Sequence, residues 1–362
     1  MMASVGLRGA MRRGGAAGVA FAIVIVHGRG AKSILNQIDL LKQAAGGGGD
    51  RRKFVSNRDR TVILSDDAIS QGVLDMAVGQ ATILISCPDR AGIIARVSNQ
   101  LFTLGCNIID SDQHTDADDG HFFWRIFFES ADLPIAELSK SLGPSLSGLL
   151  PGPGARWELF DYGRHERIVL MVSKLHHCMM DLLSRHHSRE LDADVAAVIS
   201  NHADLEPLVK PFGVPFMVIP ISKETKAISE NTLVKTLNDL GCDTVVLARY
   251  MQILSGDFLR AWGKPIVNIH HSFLPAFVGA RPYKQAHERG VKLIGATAHY
   301  VTEELDAGPI IAQATAPVTH RDTVAEMTRK GKDLEVIVLA KAVRAHLQKR
   351  VLVHHNKTIL FE

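Results

Sequence analysis

The chain has 362 residues, 46% of them hydrophobic, which is enough for two or three domains with ample core. Its net charge of +3 resides in the N-terminal arm: Arg8, Arg12, Arg13, Arg29 and Lys32 all precede the first acid, Asp39, leaving 36 basic against 38 acidic residues in the body. A slightly negative body gives no electrostatic basis for nucleic-acid binding. The longest apolar run, GVAFAIVIV at residues 18–26, is too short to span a bilayer, so no membrane association is expected. Cys87, Cys106, Cys178 and Cys242 are widely spaced with no Cys-x-x-Cys pair, and read as buried thiols of a reducing compartment.

The acid-free, Arg- and Ala-rich start has the composition of an organelle transit peptide, with mitochondrion preferred over plastid. Residues 44–60, AAGGGGDRRKFVSNRDR, are too glycine-rich and charged to pack, so residues 1–75 are read as leader and flexible linker.

From Ala81 the pattern changes. ATILISC (81–87) is a β-branched strand, PDRAG a turn, and IIARVSNQLFTLG places Ile94, Val97, Leu101 and Leu104 at helical spacing before Gly105 closes the helix. CNIIDSDQHTD is a second strand, residues 116–119 an Asp-rich turn, and GHFFWRIFFE (120–129) an aromatic third strand. A second helix is expected from Pro134 to Leu142, ended by Gly143-Pro144; after the PGPG break, ARWELF (155–160) is the last strand. The sum is a βαββαβ unit of ferredoxin-like type over residues 80–160.

From Arg167 strands and helices alternate as in a parallel sheet, and residues 165–362 are read as a second, α/β domain. Strands are expected at 168–173, 192–200, 215–221, 243–249 and 265–271. Helices are expected over 178–188, up to Leu208, over 228–241 with Ser229 as N-cap, and from Asp322 to His346 as scaffold. Ligands of such sheets lie beyond the carboxyl ends of the strands. Asn268 and His270 end the fifth strand, Asp306 follows the next apolar run, and RYMQILS (249–255) leaves the fourth strand at the same edge. An amide donor, an imidazole and a carboxylate at one strand-end site suit attack on an acyl-type carbon.

Two resemblances follow. CPDRAGIIARVSNQL with GCNIIDSDQH resembles an ACT domain. That implies either a dimerisation module in a homo-oligomer or an amino-acid effector site at Asp89, Arg90, Gly92, Asn107 and Ile108. NIHHSFLPAFVGARPY (268–283) and TAHYVTEELDAGPIIAQ (297–313) resemble the formyltransferase fold family, whose members use 10-formyltetrahydrofolate. The family implies a Rossmann-like, mostly parallel sheet and a catalytic trio that maps to Asn268, His270 and Asp306. It also implies a folate-enclosing loop at Arg249, Tyr250, Met251, Gln252, Ile253 and Leu254. Thr297 is a candidate substrate contact and, like His299 on the same strand, an equal candidate for packing or support.

Sugar-phosphate transferases of the family place a glycine-rich loop after the first strand; here that stretch is SKLHHC (173–178), without glycine. Together with the ACT-like module, this points to the branch that hydrolyses 10-formyltetrahydrofolate with water as acceptor and no cofactor. An amine-dependent formyltransferase and a non-catalytic amino-acid sensor are the alternatives. Whether His270 or Asp306 takes the water's proton is left open. The 17 histidines include adjacent pairs at 176–177, 186–187, 270–271 and 354–355, but none forms a His-x-x-x-His repeat beside a carboxylate, and no metal is expected.

Overall fold

The computed structural model describes residues 79–130, 133–276 and 282–362, with the backbone of three short strands at Val26–His27, Lys53–Asn57 and Arg60–Leu64. The second and third of these pair antiparallel, which corrects the linker reading of 44–60. KFVSN and RTVIL carry the β-branched and aromatic residues that a hairpin needs. The remainder of the expected leader lies outside the described residues. Val78–Glu362 form one compact unit, and among the described residues no helix is long and apolar enough to cross a membrane.

The first sheet comprises β1 (Gly79–Pro88), β2 (Cys106–Asp116), β3 (His121–Ser130) and β4 (Arg156–Asp161), antiparallel in the order β2-β3-β1-β4. With α1 (Ile93–Thr103) and α2 (Ile135–Leu149) this is the expected ferredoxin-like unit. Two details differ from the sequence reading. The buried stripe of α1 is Ile93, Val97 and Leu101, while Ile94 is exposed; an i, i+4 series fits the sheet surface better than the i, i+3 start. Helix α2 runs through Gly143-Pro144 because Leu138, Leu142 and Leu146 form a fully buried stripe and Pro144 lies on the exposed side, where a missing N–H is cheapest.

The second sheet has seven strands: β5 (Glu166–Val172), β6 (Ala193–Ser200), β7 (Phe216–Val218), β8 (Thr244–Leu247), β9 (Ile266–His270), β10 (Leu293–Tyr300) and β11 (Ile310–Pro317). Their order is β7-β6-β5-β8-β9-β10-β11; the first five run parallel, and β10 and β11 are antiparallel additions. β5 from Ile168 onward and β8 from Val245 onward are apolar runs because helices cover both faces. One face carries α3 (His177–His187) and α8 (Val324–Leu347), the other α5 (Lys226–Asp239) and α6 (Gly256–Trp262). A one-turn α4 (Glu206–Val209) and α7 (Pro282–Glu288) complete the helices described. Helix α5 begins three residues before the expected N-cap, and Ser229 inside it donates to the Pro220 carbonyl instead.

The chain closes with a hairpin, β12 (Val351–His354) and β13 (Lys357–Leu360), which the sequence reading did not separate. Phe361 packs against Leu84 and Phe123, the face of the first sheet that its own helices leave bare. Beside this junction His346 lies between the Tyr300 hydroxyl at 2.8 Å and the Thr244 hydroxyl at 2.9 Å. Burial pushes the His346 imidazole down to about 4 from 6.5. His271 is likewise lowered to about 4 by burial and by the Arg249 charge.

Both histidines are therefore neutral in the fold but take protons in the unfolded chain as pH drops below 6.5. The stability carried by their neutrality is fully present above 6.5 and declines as pH falls toward 4, by up to roughly 1.4 kcal/mol per pH unit for each. Urea midpoints compared at neutral and mildly acid pH will show this fall, and His346→Gln will shallow it.

Candidate active site

The order of the second sheet reverses between β5 and β8: the chain leaves β5 toward one edge and resumes at β8 toward the other. At such a reversal the two following loops diverge and leave a crevice at the carboxyl ends of the strands. Ser173, just after β5, bridges it by donating to the Asn201 side chain at 2.7 Å and accepting the Met251 N–H at 2.9 Å. The loop after β8 thus starts from a fixed point. Arg249 is buried with φ 68 and Tyr250 is also buried, whereas Met251 and Ile253 stand more than half exposed. Of the six residues expected to enclose a ligand, Arg249 and Tyr250 thus form the loop's anchor; Met251 and Ile253 offer an apolar surface, with Gln252 and Leu254 half-buried beside them.

Asn268 and His270 lie on β9 with Ile269 between them, so both side chains point to the same side. Asp306 arrives from the connection between β10 and β11, at φ 55. Gly308 closes that turn against the Tyr300 carbonyl so tightly that a Cβ would collide with it. The result is a close-set cluster: Asp306 Oδ1 pairs with His270 Nδ1 at 3.3 Å and lies 3.9 Å from His299 Nε2. Asn268 Nδ2 lies 3.2 Å from the same His299 nitrogen, directly across the strand pair.

Elementary chemistry fixes the direction of these bonds. His299 Nδ1 faces the Tyr300 carbonyl at 2.9 Å, and a carbonyl only accepts, so Nδ1 carries the proton. Burial lowers the His299 pKa, keeping the ring neutral, so its Nε2 accepts from the Asn268 amide. The Asp306 carboxyl lies below its ordinary range through the His270 hydrogen bond, against the opposing effect of burial. An ionised Asp306 accepts a hydrogen bond from His270 Nδ1–H, which leaves Nε2 as the ring's unprotonated nitrogen. That Nε2 is buried and has no hydrogen-bond partner among the described residues.

Thr297 is not a surface contact. It is fully buried, donates to the Ser272 carbonyl at 2.9 Å and accepts from the Leu274 N–H at 3.0 Å and the Gln313 amide at 2.9 Å. Its hydroxyl is spent holding the loop that follows His270, a loop that contains the cis Leu274-Pro275 bond. Residues 277–281 of the motif lie outside the described residues.

Behind the trio is a group that sequence reasoning missed. Glu335 on α8 is 1% exposed; it accepts from His177 Nε2 at 2.7 Å and the Tyr283 hydroxyl at 2.8 Å, and pairs with Arg249 Nε at 3.4 Å. Its only sequence signal is a carboxylate in the buried stripe of an otherwise apolar helix segment. Cys178 adjoins it, within reach of a shared cation. Burial and the Glu335 charge push that thiol up, disfavouring the thiolate a metal would need.

The expected effector residues do not converge within the chain. Asp89, Arg90 and Gly92 are exposed together at the start of α1, beside the end of β1 where Pro88 pairs with His121. Asn107 pairs with Glu129, which faces Gln80 at the opposite end of β1. Eight residues of strand separate the two ends, roughly 26 Å, and Ile108 packs toward the core of its own sheet.

Comparison with known proteins follows the same lines. Residues 166–343 match the family model described as formyl transferase. A formyltetrahydrofolate deformylase of Synechocystis is 46% identical over 281 residues, covering 78% of this chain and 98% of the relative. The crystal structure of a formyltetrahydrofolate deformylase from Pseudomonas syringae pv. tomato is 43% identical with TM-score 0.75, covering 82% of this chain and 99% of that one. A glycinamide ribonucleotide transformylase from Symbiobacterium toebii, 30% identical with TM-score 0.52, spans 99% of its own length but only 59% of this chain. The deformylase likeness thus reaches well beyond the stretch that the transformylase covers, and the chain belongs to the formyltetrahydrofolate deformylase family.

Proposed function

We propose that the chain hydrolyses 10-formyltetrahydrofolate to tetrahydrofolate and formate, with water as acceptor and no cofactor besides the substrate. The observation that carries this reading is the joining of Asn268, His270 and Asp306 through 3.2–3.9 Å contacts at one strand-end crevice. One N–H of Asn268 is held by His299, and the second donates to the formyl oxygen as negative charge develops there. His270 Nε2 takes the proton of the attacking water while Asp306 holds the ring and balances its charge. The apolar pair Met251 and Ile253 supplies the surface on which the pterin ring rests. The stretch 173–178 supports water as acceptor. It is glycine-free, and the Ser173 hydroxyl is used to fix the Met251 loop.

Formate release from 10-formyltetrahydrofolate with no amine present tests the proposal; formate that appeared only on addition of an amine would overturn it in favour of the transferase reading. Asn268→Ala is expected to lower kcat by about 10²–10³ with a smaller change in KM, the loss typical of one oxyanion donor. The same proposal extends to the rest of the chain. The arginine-rich start directs it to the mitochondrion, which a fluorescent fusion of residues 1–75 would test by its location in cells. The ferredoxin-like unit mediates a homo-oligomer through the exposed edge and flank formed by Ile94, Phe102 and Ile109, responsive to an amino acid at Asp89, Arg90 and Gly92. Sedimentation with and without free amino acids tests both points. Formate and tetrahydrofolate so released serve one-carbon metabolism, purine biosynthesis included.

A further inference from the structure

The β12–β13 hairpin turns through only two residues, His355 and Asn356, since His354 pairs with Lys357. His355 adopts φ 52, a left-handed conformation that Gly or Asn fills at lower cost. Two consecutive side chains of an extended strand point to opposite faces. Here the turn brings them together, and the His354 and His355 rings lie 4.1 Å apart between centroids. Both reach one oxygen: Asp119 Oδ2 is 2.5 Å from His354 Nε2 and 3.9 Å from His355 Nε2.

Asp119 belongs to the turn between β2 and β3, 235 residues earlier in the chain. Its other oxygen, Oδ1, accepts the His121 backbone N–H at 3.0 Å, which aims Oδ2 at the histidines. The His354 ring is held on two sides, stacked on His121 at 4.4 Å and edge-on to Phe123 at 4.9 Å. A single shared proton accounts for the His354–Asp119 contact. It does not account for a second imidazole turned onto the same oxygen, because two imidazolium rings so close would repel.

We propose that Asp119, His354 and His355 form a binding site for a divalent transition-metal ion of the zinc class, joining the ferredoxin-like sheet to the C-terminal hairpin. The three ligand atoms already lie within 4.8 Å of one another. Two neutral imidazoles and a carboxylate suit zinc, nickel or copper rather than calcium or magnesium. Metal–ligand distances of about 2.0–2.1 Å require the Asp119–His354 pair to open from 2.5 Å around the ion and the largely exposed His355 side chain to swing inward. Solvent supplies the remaining position. Oδ1, tied to the backbone, and the stacked rings give the outer support that metal-bound ligands need. The ion is structural: it lies over the packing of Leu84, Phe123 and Phe361, and shares no residue with the Asn268 site.

The test uses the full chain, freed of metal by a chelator and titrated with Zn²⁺ by calorimetry, then with Co²⁺ to read the visible band of a nitrogen–oxygen site. One equivalent is expected to bind saturably and to raise the melting temperature. His355→Ala and Asp119→Asn, shown to remain folded by circular dichroism and by unchanged metal-free formate release, are expected to weaken binding more than about tenfold. Absence of saturable binding by the wild type, or equal affinity in both variants, would overturn the proposal.

Discussion

Asp306→Asn is expected to lower kcat for formate release by about 10²–10⁴ while leaving KM nearly unchanged. The substitution preserves shape, so the turn at φ 55 and the contact of Gly308 with Tyr300 survive; asparagine also tolerates the left-handed conformation well. What changes is the partner offered to His270 Nδ1 at 3.3 Å. A carboxylate can only accept, so it holds the Nδ1–H form with Nε2 free to act as base. An amide can present its NH₂ group, which favours the opposite tautomer and removes the charge that balances a protonated ring. A triad aspartate replaced by asparagine loses activity by this route in serine proteases. Steady-state kinetics with 10-formyltetrahydrofolate, alongside His270→Ala, provide the measurement. Near-wild-type kcat in both would mean that the trio is not the catalytic centre.

Glu335→Ala is expected to cost about 3–5 kcal/mol of stability, the penalty for breaking a buried ion pair from one side. Burial opposes ionisation of Glu335. The His177 hydrogen bond, the Arg249 charge and the Tyr283 hydroxyl outweigh it and hold the carboxyl below its usual range. Removing the carboxylate strands the buried Arg249 guanidinium and leaves the Tyr283 hydroxyl unpaired. Gly331, one turn before Glu335, admits the Tyr283 ring where any Cβ would clash, so the tyrosine has no alternative seat. Because Arg249 begins the loop that presents Met251 and Ile253, the change is also expected to raise KM more than it lowers kcat. Urea denaturation checks the first part, and substrate saturation curves check the second. An unchanged urea midpoint would show that the carboxylate does not support the fold.

The grouping of Asn268, His270 and Asp306 at one strand-end site was legible in the sequence because short-range grammar carried it: N-x-H at a strand end, and an aspartate two residues before a glycine in a tight turn. The sheet was legible for the same reason, each parallel strand being a bounded apolar run. Support residues were not. Glu335 meets Arg249 from 86 positions away on a helix that read as scaffold, and Thr297 stood equally as substrate contact or as support, a choice that its bonds to the loop after His270 decide for support. Both cases share one cause: a side chain's partners depend on tertiary neighbours, whereas periodicity reports only its own element. The same limit explains α1, where local spacing could not decide between Ile93 and Ile94, and α2, where the buried leucines outweighed a Gly-Pro stop signal. It also explains the effector residues, grouped by motif but placed at opposite ends of β1 by strand register.

The packing of Phe361 on Leu84 and Phe123 has a consequence for how the polypeptide is made. The ribosome delivers Phe123 long before Phe361, with 238 positions between them. At typical elongation rates of about 5–20 residues per second, the interval is roughly 10–50 seconds. Throughout that time the nascent ferredoxin-like sheet holds one aromatic face without its cover. The hairpin segment thus seals a sheet made long before it, and a chain stalled or clipped just short of Phe361 would display a sticky surface that chaperones and proteases recognise.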